Sequence, residues 1–149
     1  MPRHVVAGLL VGVVLLPATS IAAGASNATL RAAVNTWSSR IATDARSVTR
    51  DANVPSRLAV DAVHFRRDAI RARSIITSRV PGTPKGRQAR LLALTAFLDF
   101  VRAGSAWAAS ATARIKHLHA AAIGYAQTGA REAHLGDALL VKAGRLLRP

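Results

Sequence analysis

An all-α, up-and-down helical bundle is the fold this sequence predicts, on three observations. Apolar residues recur three or four apart over most of the chain, the spacing of one buried helix face, and no run keeps the period of two that a half-buried strand needs. Proline and glycine gather in few places, chiefly 53–55 and 80–86, and cut the chain into helix-sized segments. With no cysteine among the 149 residues, disulfides and thiolate metal sites are excluded, so packed helices must supply the core.

Residues 1–25 read as an export signal. Arg3 lies in a short charged start, 5–16 are uncharged and largely apolar, and Pro17 ends the run. Ala23 and Ala25 then occupy the two small-residue positions of an A-x-A cleavage site, which predicts Ser26 as the mature N-terminus. Residues 26–149 form a single helical-bundle domain, placed outside the cell or at its envelope. The alternative is an uncleaved N-terminal membrane anchor, since 5–25 carry no charge and reach the length of a span; Pro17, Thr19 and Ser20 argue against it.

The first helix is expected from Ser26 or Asn27, either able to cap it, to about Ala52, with Leu30, Val34, Trp37, Ile41, Ala45 and Val48 inward. Pro55 then interrupts the helix with a tight reversal or a sharp kink, because it disfavours helical backbone at Val54. The second helix is expected over 55–80, burying Leu58, Ala62, Phe65, Ala69, Ala72 and Ile76, with Val63 and Ile70 widening the stripe. After the loop at 80–86, Thr83 and Pro84 suit the cap and first position of a third helix.

Beyond Pro84 the buried seam is expected along Leu91, Leu94, Leu98, Val101, Trp107, Ile115, Leu118, Ala122 and Tyr125. One helix over 84–135 would be about 78 Å long, with no partner to match, so a break is predicted at Gly104–Ser105; a single continuous helix is the alternative. Gly136–Asp137 reads as a stop followed by a cap, giving a short C-terminal helix after about four main ones, with Thr128–Gly129 as the other candidate boundary.

Function is less constrained. Arginine outnumbers lysine 18 to 3 against 7 acidic residues, for a net charge of +14, or +13 without Arg3. The bias toward alanine and arginine reads first as that of a GC-rich bacterial genome. Even so, such a charge attracts polyanions and favours solubility. The second helix concentrates it: Arg57, Arg66, Arg67, Arg71 and Arg73 are the candidate polyanion-binding residues, offset in part by Arg57–Asp61 and Asp68–Arg71 pairs. Anionic lipid or cell-wall polymer suits an exported chain; the scarcity of exposed-looking aromatics argues against specific nucleic-acid binding.

No catalytic, cofactor or metal-binding residues are predicted. His117 and His119 fall about 200° apart on a helix, whereas a zinc helix needs i, i+4 spacing. Asp44 and Asp51 read as surface ion pairs, and the serines lack the strand–turn–helix setting of a nucleophile. The expected protein is therefore a non-enzymatic binding module. A structural or protein-partner module at the envelope, with no specific polyanion ligand, is the alternative.

Overall fold

The computed structural model describes residues 18–148, with side chains from Ala25 onward. The charged start and apolar run assigned to the export signal lie outside the described residues. Four helices follow one another: α1 Ala18–Arg50, α2 Pro55–Thr77, α3 Pro84–Ile115 and α4 His119–Leu146. They form an all-α bundle in which each packs on the next. α3 is the shared wall, packed against both α2 and α4, whereas α1 rests chiefly on α2 and barely touches α3 or α4.

Two corners form as their residues dictate. Val54 is extended (φ −113°, ψ 94°) and Pro55 begins α2, as a pre-proline position requires. Thr83 is extended ahead of Pro84, and its hydroxyl accepts from the Gly86 amide at 3.0 Å. Asn27 of α1 donates to the same hydroxyl at 2.7 Å, tying the corner to α1. Arginines close two helix ends: Arg90 of α3 donates to the Ile76 and Thr77 carbonyls, and Arg114 to Ala52 O at 2.7 Å. Both place a guanidinium charge on carbonyls at or just past the C-terminal end of a helix.

α2 buries Leu58, Ala62, Phe65, Ala69, Ala72 and Ile76, the predicted stripe, and α1 buries Leu30, Val34, Ile41 and Val48, with Trp37 and Ala45 half-buried beside them. The centre is aromatic. Phe65 meets Phe100 edge-on at 5.8 Å and Trp107 at 5.1 Å, and Phe97 meets Phe100 at 5.9 Å.

The structure corrects several expectations. α1 already runs through the described residues from Ala18, so it does not begin at Ser26 or Asn27. α2 ends at Thr77 rather than Val80. Gly104–Ser105 does not break α3: a Cβ at Gly104 would stand 2.8 Å from Arg66 Cβ and 3.0 Å from Ala62 O, so this glycine admits α2 rather than ending α3. Gly129 admits the Trp107 ring and Gly136 the Phe100 ring in the same way, and no separate terminal helix starts at Asp137.

The actual break is at 116–118. His117 N donates to Arg114 O and Leu118 N to Ala113 O, with His117 at φ 58°. These are the paired bonds of a Schellman stop, with histidine in the left-handed place usually held by glycine. The predicted leucine seam is also displaced. α3 buries Ala89, Ala93, Ala96, Phe97, Phe100, Ala103 and Ala111, while Leu91, Ile115, Leu118 and Tyr125 are exposed and Leu94, Leu98 and Val101 only half-buried. Small residues let the helix backbones approach closely, so they take the seam and push the leucine row to its margin.

Candidate functional site

α1 and α2 run antiparallel, and their register brings four aspartates into one seam. Asp44 is close enough to Asp68, and Asp51 to Asp61, for each pair to share its electrostatics; two helical turns separate the pairs. Asp51 and Asp68 are buried, Asp44 and Asp61 half-buried. Asp68 is held by Arg40 from α1, whose Nε donates to Oδ2 at 2.7 Å while its guanidinium lies over the Trp37 ring at 5.5 Å. Asp51 is held by Arg50, at 2.8 Å.

Loss of water raises the Asp44 carboxyl above its ordinary range, and the charge of Asp68 adds to the rise. Burial likewise raises Asp61, which lies within hydrogen-bonding reach of Asp51. The hydrogen bond from Arg50 lowers Asp51. One oxygen each of Asp44, Asp61 and Asp68 is buried with no hydrogen-bond partner among the described residues. Asp51 does pair with a neighbouring arginine, as the sequence suggests, but from a buried position, and Asp44 forms no ion pair among the described residues; both belong to the polar half of the α1–α2 joint.

Because Asp61 and Asp68 turn toward α1, the outward surface of α2 carries no acidic side chain. The five candidate arginines are all exposed there, but they divide. Arg57 lies 4.0 Å from Asp51, in place of the expected Asp61, while Arg67 and Arg71 each lie 3.8 Å from Asp68. Arg66 and Arg73 make no ion pair among the described residues. They lie seven apart, on the flank of α2 toward α3. Arg66 Cβ borders Gly104, and Arg73 lines a groove with Ile70, Leu98 and Val101.

Val63 and Ile70 were expected to widen the buried stripe and do not; they are 52% and 47% exposed. Their positions follow from the closeness of α2 and α3 at Gly104, which leaves the next row of side chains outside. Sequence reasoning also missed Arg40, although its place one turn before Asp44 was a legible signal.

The remaining constellations do not assemble. The His117 and His119 rings are 6.4 Å apart at the broken helix, and no group of three or more His, Asp or Glu among the described residues could hold a metal. A cleft of about 210 Å³ between Val48, Leu58, Trp107 and Ala126 is apolar, with Arg114 at its edge and Ser110, whose hydroxyl already donates to Ala122 O. Fold and surface together define an all-helical bundle with one strongly cationic helix face. No protein-family model, curated protein or solved structure matches the chain.

Proposed function

We propose that the protein is an exported, non-enzymatic module that holds polyanions on the outward face of α2. The observation that carries this reading is the segregation of charge: Asp61 and Asp68 turn toward α1, and Arg57, Arg66, Arg67, Arg71 and Arg73 are exposed on the other side, Arg66 and Arg73 with no ion pair among the described residues. Guanidinium groups suit this work, since they stay charged and offer forked donors to phosphate and carboxylate oxygens. The α1 seam fits the same scheme, because it consumes the helix's acidic residues in holding the bundle together.

Binding of the full chain to heparin across a salt series tests the proposal. Affinity should fall steeply as salt rises, through screening of exposed charges. Arg66→Gln with Arg73→Gln should weaken binding and flatten that dependence, with helicity unchanged because neither side chain belongs to the core. Arg131→Gln with Arg145→Gln removes the same charge from α4. Equal losses from both pairs would reduce the effect to diffuse attraction, and no binding by wild type at low salt would end the proposal.

A further inference from the structure

The α2–α3 flank combines charge with apolar surface in a way that a hydrated polymer does not require. Along α2, Val63, Arg66, Ile70 and Arg73 alternate at three- and four-residue spacing on one exposed strip. Ile70 continues into a groove floored by Leu98 and Val101 of α3. Leu91, seven residues before Leu98 and 64% exposed, extends the apolar row along α3. Of the five candidate arginines, the two in this strip are those with no ion pair among the described residues.

We infer that this strip docks the protein on an anionic lipid bilayer, with Val63 and Ile70 in the headgroup–acyl boundary and Arg66 and Arg73 on lipid phosphates. The inference rests on reading α2 as an anion-binding face and names its partner. A soluble polyanion gains nothing from exposed aliphatic side chains, whereas an interface that is anionic above and apolar below rewards both parts of the strip. α3 has the length and apolar composition to cross a membrane. Its Ala/Phe face is occupied by the bundle core, which leaves the leucine row beside Ile70 to meet lipid at the surface.

Co-sedimentation of the full chain with phosphatidylglycerol–phosphatidylcholine vesicles, beside heparin binding, tests this. Wild type and variants share the same N-terminal apolar run, and vesicles of phosphatidylcholine alone measure its contribution. Val63→Ser with Ile70→Ser should weaken binding to the anionic vesicles by about tenfold, the scale of roughly two methylene groups returned to water, and leave heparin binding unchanged. Arg66→Gln with Arg73→Gln should weaken both, by about thirtyfold on vesicles if each arginine acts at the lipid surface. Circular dichroism checks that each variant keeps wild-type helicity. If the Val63/Ile70 variant holds vesicles like wild type while the arginine variant loses them, lipid insertion is overturned and polyanion binding stands. If the arginine variant loses neither heparin nor vesicles, both readings fall. Vesicle-free self-association of wild type that the Val63/Ile70 changes abolish would assign the strip to a second copy instead.

Discussion

His117 is the residue whose backbone is most at odds with its side chain. It ends α3 at φ 58°, a conformation that costs an L-residue roughly 1–2 kcal/mol and glycine far less. His117→Gly should therefore raise unfolding free energy by about 0.5–1 kcal/mol after glycine's own entropy loss is counted. A urea titration with an unchanged slope and a higher midpoint is the expected result; an unmoved midpoint would mean that the imidazole contributes something offsetting. Asp61 gives a second test. Its folded pKa is raised above the ordinary 3.8, so the folded chain takes up the proton before the unfolded chain does, and stability rises as pH falls through that raised value. Asp61→Asn should be more stable than wild type at neutral pH, with the advantage vanishing below pH 3.8, where both states of wild type are protonated. Asp51, lowered by Arg50, works in the opposite sense: its contribution is present above 3.8 and is lost as pH falls through its lower folded value. An Asp61→Asn advantage that persisted undiminished in acid would show that the amide acts through packing rather than charge.

At the scale of elements, the glycines divide by what approaches them. A Cβ added at Gly104 would stand 3.0 Å from α2 backbone and one at Gly136 3.0 Å from Ala96 O, so either substitution must push helices apart. Gly104→Ala and Gly136→Ala should each destabilise by about 1–3 kcal/mol, the cost of overpacking. Gly124 and Gly144 meet nothing within 4 Å, and Gly144→Ala in particular should stabilise α4 by about 0.5–1 kcal/mol through the ordinary helix preference for alanine. Thermal unfolding of the three variants decides the matter, and a stabilising Gly104→Ala would overturn the close-approach account of the α2–α3 contact.

For the whole molecule, the bundle is unevenly held. α3 is packed on both sides around Phe65, Phe97, Phe100 and Trp107, whereas α1 rests on α2 across a seam of half-buried carboxyls and has little hold on α3 or α4. Sub-global opening should therefore release α1 first. Native-state hydrogen exchange is expected to show the amides of α1 exchanging at lower opening free energy than those of α3 between Ala89 and Ala111. Equal protection across the two helices would indicate that the molecule opens only as a unit.

Helical class and the buried faces of α1 and α2 were legible in the sequence, because Leu30, Val34, Ile41 and Val48 on α1, and Leu58, Phe65 and Ile76 with the alanines between them on α2, recur at a helical period beside the proline corners. The Thr83–Pro84 start of α3 was legible for the same local reason. The arginine concentration on α2 could be counted from the letters, though not which arginines keep their charge uncompensated. From Pro84 onward, local rules pointed at the wrong places. A glycine reads as a stop when only its own chain is considered, yet Gly104, Gly129 and Gly136 are set by a neighbour's approach, and that neighbour is remote in sequence. Leucines outrank alanines in any hydrophobic count, yet close helix packing gives the seam to Ala89, Ala93, Ala96 and Ala103 and leaves Leu91 in solvent. The aspartate seam and the exposure of Val63 and Ile70 also arise between helices. Spacing within one helix determines which residues share a face; only the register and distance of the partner helix decide which face is buried and which charges meet.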